Sequence, residues 1–443
     1  MSFDKKFILK AGSYSTLELV GNQGLGMLTF FILVRVLTKD DFGVWVLYLT
    51  SITMIEMARV GFVKNALIKY VGGDKDNDHI RSTSLYIGIF TFIVTTLLVQ
   101  LPLAFLVGPV IWDAPILRDL FLLNIPASLL LVFYSHYKNI QQANLNFKQS
   151  LYCALFRRLP MLVSIVLLLF IWGEVDLTSL VIIQIGSIAL ATLVAYTMVR
   201  KSINLKIRFD RHWFTKLVRF GKYTFGTNLN AMILRNIDQF MLGSFFASFM
   251  VAVYNTAIRI TNLVEIPINA MSTILYPKSA ASSDDKRKLK EMYEKSVSLI
   301  LFLVIPIISV IYVFPELFIY IVAGKEYYSA IPFLKVTLLF ALVVPFVRQA
   351  GTILDSMGKP KINFYLTLFA SVLNVSINYL FIGLFGAIGA AYGTLMSYCI
   401  ILVVNQVFLY RFLNVSILSI ITQMAGYYKN LVFMVLGKRK SVL

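Results

Sequence analysis

The chain has 443 residues, 58% of them hydrophobic and 14% charged, with a formal net charge of +19 and a mean hydropathy of +0.77. Soluble globular domains carry about 25% charged residues, so this composition excludes one and points to a chain built from apolar spans. Two scattered cysteines (Cys153, Cys399) and three scattered histidines (His79, His136, His212) suggest no disulfide framework and no metal cluster. The missing GxxxxGK[ST] pattern argues against a nucleotide-powered motor, and no cofactor is expected.

A membrane-crossing helix needs roughly 20 mostly apolar residues. Lys5, Lys6 and Lys10 precede the first such stretch as in a signal peptide. That stretch runs long and contains Glu18, Asn22 and Gln23, so it reads as a retained span. Twelve spans are expected, over 11–37, 42–63, 84–107, 116–137, 151–172, 177–199, 222–246, 251–277, 296–323, 329–356, 361–384 and 386–411. This all-α plan gives an N-terminal six-helix lobe (1–199), a basic amphipathic linker (200–221), a C-terminal six-helix lobe (222–411) and a tail (412–443). The tail stretch 417–436 carries Gly426, Tyr427, Tyr428, Lys429 and Asn430 mid-way, so it is expected to lie at the membrane interface.

Alternate loops divide the basic residues 32 to 3, with six more inside spans. Cytoplasmic loops collect Lys and Arg, so both termini are expected in the cytoplasm of a multi-pass cell-membrane protein. The basic residues are spread over seven separate segments, which argues against nucleic-acid binding. Outer loops are short, the longest being "GPVIWDAP" at 108–115. That disfavours a glycan polymerase or ligase with catalytic groups on a large outer loop. The linker alternates basic residues with Phe209, Trp213, Phe214 and Phe220, as suits the headgroup level. Sliding the chain by 209 residues places Gly12 and Tyr14 on Gly221 and Tyr223, and Gly43-Val-Trp45 on Ala252-Val-Tyr254. The halves therefore read as parallel repeats.

Charged side chains within a bilayer usually face a partner or a cavity. On span seven, Thr224, Asn228, Arg235 and Gln239 share one face, flanked by Asn236 and Asp238. Span eight carries Asn255, Arg259, Asn262, Glu265, Asn269 and Thr273. Spans one and two add Glu18, Asn22, Glu56 and Arg59; spans ten and eleven add Arg348, Asp355, Asn374 and Asn378. Spans three, five and six are plainer. Arg59, Arg235, Arg259, Arg348, Asn22, Asn228, Asn262 and Asn269 are the candidates for a central substrate cavity. Glu18, Glu56, Asp238, Glu265 and Asp355 are candidates for ion coupling or for pairing with those arginines. Local pairs of Arg59 with Glu56, Arg235 with Asp238, Arg259 with Glu265 and Arg348 with Asp355 would leave nothing for a ligand. "GAIGAAYG" at 386–393 is expected to allow close helix packing rather than dinucleotide binding.

Three stretches carry a resemblance: "VRVLTKDDFGVWVLY" (34–48), "NIDQFMLGSFFASFMVAVYNTAIRI" (236–260) and the Gly-Lys turn of "DSMGKPKINF" (355–364). In order and spacing the chain resembles the bacterial polysaccharide-export flippases of the oligosaccharide-flippase and multidrug-extrusion superfamily. Ala252 stands where that family often has Gly, and Arg59 precedes Gly61 where an acid is common. The resemblance implies two six-helix lobes forming a V and alternating access. It implies a polyprenyl-pyrophosphate-linked oligosaccharide as substrate, carried through the lipid bilayer, with H+ or Na+ as counter-ion and other glycan-assembly proteins as partners. The alternative within the superfamily is a cation-coupled multidrug extruder.

Overall fold

The computed structural model describes residues 5–71, 77–144, 146–200, 209–280, 282–283 and 285–435. Among these residues the chain is helical throughout, with no strand. Lipid offers the backbone no hydrogen-bond partners, so an all-helical chain is what a membrane of this composition demands.

The first unit is built mainly from residues 1–232. It contains α1 (Lys5–Val36), α2 (Lys39–Val71), α3 (Asn77–Thr95), α4 (Ile116–Leu123), α5 (Ile125–Ala143), α6 (Phe147–Trp172) and α7 (Leu177–Val199). α3 continues as wide π turns over Thr96–Gln100 and Leu103–Ile111, around Pro102 and Pro109. α4 and α5 form one span broken at Asn124. Buried amides bind the broken turns. Asn124 accepts from the Tyr48 hydroxyl at 2.9 Å and donates to Ser128 at 3.0 Å. Gln100 donates to the Phe121 carbonyl at 2.8 Å. Asp176 caps α7 by accepting from the Thr178 and Ser179 amides. Hydrogen bonds from Ser179 and Thr178 hold its carboxyl below the usual carboxylate range.

The second unit is built mainly from residues 253–443. Leading into it are α8 (Arg211–Phe245) and α9 (Ser248–Thr261), which contribute to both units. It contains α10 (Glu265–Ala280), α11 (Lys286–Val313), α12 (Pro315–Ala323), α13 (Ile331–Ala341), α14 (Val344–Ser356), α15 (Pro360–Phe385), α16 (Gly389–Leu413) and α17 (Ile417–Val435). The span expected at 296–323 ends at Val313, because the chain breaks at Phe314 and Pro315 starts a separate short helix.

Neighbour relations repeat between the units. In the first, α2 packs on α3 and α5, and α7 on α5 and α6. In the second, α10 packs on α11 and α14, and α16 on α14 and α15. Two of the three glycines of "GAIGAAYG" act as packing surface, while Gly386 takes a left-handed φ of +68° at the turn with open space around it. A Cβ at Gly389 would collide with the Phe381 carbonyl, and one at Gly393 with Asn378.

By length and apolarity, nine segments of the described residues qualify as membrane spans, one of which, Lys361–Leu413, contains both α15 and α16. α8 and the α9–α10 pair fall outside that criterion because polar side chains interrupt them. α8 starts at Arg211, so the last part of the basic linker is already helical. Asp210 caps it through the His212 and Trp213 amides, and Trp213 packs with Val63, Leu67 and Ile80.

α17 packs along α11. Glu294 accepts from the Ser416 amide and the Ser419 hydroxyl, at 2.9 and 2.8 Å. Two turns further along α11, the Phe302 carbonyl accepts from Tyr428 at 2.8 Å. Tyr427 and Tyr428, midway along this helix, thus find a partner in Phe302 of α11.

Candidate functional site

Each unit holds its own cluster of charged side chains. In the first, α1 brings Glu18 to Lys138 on α5, at 2.7 Å, and Ser150 donates to the same carboxylate at 2.9 Å. α2 brings Glu56 to Arg157 on α6. Arg157 Nη1 donates to Glu56 Oε1 and Nη2 to Oε2, at 2.7 Å each. Arg157 also lies over the Tyr134 ring, 5.4 Å from its centroid. Such a two-pronged pair is strong and geometrically specific.

Arg59 does not pair with Glu56. It is 6% exposed, and its guanidinium donates to the Ile55 carbonyl and to the carbonyl and hydroxyl of Ser128, at 3.1 to 3.3 Å. It therefore braces α2 against α5. A small pocket of about 30 Å³ opens beside it, lined by Glu56, Ser84, Ser135, His136 and Asn139 among others. Asn22 is half-buried on α1.

In the second unit, Arg235 of α8 and Arg348 of α14 converge on one carboxylate. Glu265 Oε2 lies 3.6 Å from Arg235 and 3.8 Å from Arg348. The arginine side chains are 54% and 36% exposed. Both distances exceed a good hydrogen bond. Two positive groups thus share one negative group, and their forks of donors remain available to an oxyanion. The Tyr398 hydroxyl lies in the field of all three.

Asp238 takes a different place. It is 3% exposed. Its Oδ2 accepts from the Tyr254 hydroxyl and, at 3.1 Å, from Thr394. Asn378 donates to Thr394 and to Asn374, at 3.2 Å each. Asp238 Oδ1 is buried and has no hydrogen-bond partner among the described residues. A buried acceptor left unsatisfied is costly. Asp355 accepts from Asn363 at 2.9 Å instead of meeting Arg348.

The sequence-expected residues therefore separate. Arg235, Arg348 and Glu265 come together; Arg59 is turned inward; Asp238 is withdrawn from Arg235. Arg259 and Asn262 are exposed near the end of α9, and Asn269 is half-buried on α10. The side chain of Asn228 lies outside the described residues. Sequence reasoning missed Arg157, which was counted as a loop charge. Its position inside the 151–172 span was the available signal. It also missed Tyr254, Thr394 and Tyr398. A shift of 209 residues places Glu56 on Glu265, and each of these carboxylates engages arginine from another helix.

The family profile described as "Polysaccharide biosynthesis protein" matches residues 32–332. The chain belongs to this polysaccharide biosynthesis protein family. It is a multi-pass membrane protein. The lipopolysaccharide biosynthesis protein WzxC of Escherichia coli K12 is 22% identical over 415 residues, which is 93% of this chain and 81% of WzxC. Two other relatives are matched over only 43% of their own length. An inward-facing multidrug resistance MATE family transporter of the MOP superfamily shares the fold. It has a TM-score of 0.76, 18% identity, and coverage of 91% of this chain and 98% of that one. The inward closed lipid II flippase MurJ does too, with a TM-score of 0.74, 14% identity, and coverage of 96% and 93%.

Proposed function

We propose that the protein carries a lipid-linked oligosaccharide across the cell membrane by alternating access, serving the assembly of a cell-surface polysaccharide. It is a transporter and not an enzyme. The observation that carries this reading is the pair of exposed arginines, Arg235 and Arg348, held loosely by the single acid Glu265. An anionic headgroup cannot cross about 30 Å of hydrocarbon unaided. A polyprenyl pyrophosphate offers the planar, multi-acceptor anion that arginine forks recognise. The sugar hydroxyls suit the amides and Tyr398, and the prenyl tail can stay in the bilayer. Family membership, and the roles of WzxC in lipopolysaccharide biosynthesis and of MurJ as a lipid II flippase, support the same direction.

The counter-ion site is Asp238. Its buried, half-satisfied carboxylate suits H+ or Na+. The fold likeness to the MATE transporter favours one second reading, a cation-coupled multidrug extruder. Against it, the exposed charges beside Tyr398 are net positive, which suits an anionic substrate.

The twelve-span plan with both termini cytoplasmic, and the division into lobes at the 200–221 linker, belong to the same proposal. The test is genetic. In cells without the gene, and without a redundant transporter, lipid-linked repeat units should accumulate facing the cytoplasm. Repeat units that still reach the outer surface would end the reading.

A further inference from the structure

The Gly-Lys turn at 358–359 has a role that the transport reading does not absorb. Gly358 takes φ +72°, a left-handed value that favours glycine. The turn delivers Lys359 onto the Phe412 ring at the end of α16, with its ammonium 3.4 Å from the centroid. Lys286, the first residue of α11, lies over the same ring at 4.7 Å. Phe412 is stacked on Phe408, with 13° between the planes, and both pack on the core that α11 shares with α14. One firmly seated ring therefore gathers two ammonium groups.

A ring face attracts a cation, but it does not cancel the repulsion between two. The nearby acids do not cancel it either. Asp285 accepts from the Arg287 and Lys288 amides and pairs with Lys288. Glu291 pairs with Arg287, and Asp355 accepts from Asn363. No ion pair among the described residues includes Lys286 or Lys359.

We propose that Lys286 and Lys359, gathered on Phe412, form a binding site for the phosphate group of an anionic membrane lipid. The level in the membrane supports a lipid. Within two turns of the lysines, Tyr365 and Tyr410 are 57% and 62% exposed, as aromatic side chains are at a bilayer interface. The lysines sit on the connections expected to face the cytoplasm. The site is separate from Arg235 and Arg348, so its binding can be read without any transport assay.

The test is native mass spectrometry of the full chain in neutral detergent. Phosphatidylglycerol and phosphatidylcholine with the same acyl chains are offered in parallel, with inorganic pyrophosphate as the soluble arm. The wild type should retain phosphatidylglycerol over phosphatidylcholine. Lys286→Gln with Lys359→Gln should lower that retention by about tenfold. Lys286→Arg with Lys359→Arg should restore it, which shows that the fold survives exchange at both positions. Lys325→Gln, an exposed charge elsewhere, should leave it unchanged. Equal retention of the two lipids by the wild type overturns the proposal, as does undiminished phosphatidylglycerol in the double Gln variant. Displacement of the lipid by an equal concentration of pyrophosphate would make this a free-phosphate site and overturn the lipid assignment.

Discussion

The Arg235 guanidinium meets Glu265 of α10 at 3.6 Å, although Asp238 lies only one turn away on its own helix. Residues three apart sit about 60° from each other on an α-helix, close enough to pair, so it is partners on neighbouring helices that separate these two side chains. Arg235 is left exposed. Asp238 is drawn into a buried set of hydroxyl donors, Tyr254 and Thr394. On the proposed reading, anion binding and ion coupling fall to different residues.

Arg235→Ala and Arg348→Ala should each weaken substrate binding. A hydrogen bond to a charged group contributes about 1.5–3 kcal/mol, so each loss should be about 10- to 100-fold. Arg235→Lys should fall between, because an ammonium keeps the charge and loses the fork. The check is binding of a polyprenyl-pyrophosphate oligosaccharide to purified protein. Wild-type affinity in both Ala variants would remove these residues from the site.

Asp238→Asn keeps the shape of the side chain and removes its charge. Transport in proteoliposomes should then stop responding to an imposed Na+ or H+ gradient, while substrate binding at Arg235 and Arg348 persists. An undiminished gradient response would place coupling elsewhere.

Tyr398 lies in the fields of Arg235, Arg348 and Glu265 and also of Asp238. It follows Thr394 by one turn of α16. Tyr398→Phe should reduce the effect of the coupling cation on substrate affinity and change the cation-free affinity little. Equal loss of affinity with and without the cation would instead make the hydroxyl a plain substrate contact.

Glu56 and Arg157 should matter for stability. Removing one partner of a fully buried pair costs about 3–5 kcal/mol; this pair is partly exposed, so Glu56→Gln and Arg157→Ala should lower the melting temperature in detergent by a smaller amount. Replacing both residues by Met should recover much of the loss. A Glu56→Gln protein that melts like wild type would deny the pair a structural role.

Apolar length and loop charge made the helices legible, because a bilayer permits few alternatives. The breaks were less legible. The interruption at Phe314 lies in an apolar run, and the packing of α17 on α11 depends on Glu294 and Phe302, more than a hundred residues away in sequence. Among the site residues, the arginines were legible as costly intramembrane charges. Their partners were not. Helical spacing suggested Glu56 for Arg59, Asp238 for Arg235 and Asp355 for Arg348, whereas the chain brings Arg157 to Glu56 and two arginines to Glu265. Side chains on one helix compete with nearer donors on neighbouring helices, and spacing along one helix does not report that competition.

The most direct measurement is leaflet exchange of a fluorescent polyprenyl-pyrophosphate oligosaccharide in sealed liposomes, read as the fraction open to an impermeant sugar-modifying reagent. With wild-type protein, nearly all of the lipid should become accessible, and with the Arg235→Ala, Arg348→Ala double variant only the outer-leaflet share. Wild-type liposomes that expose no more than protein-free ones would contradict the flippase reading.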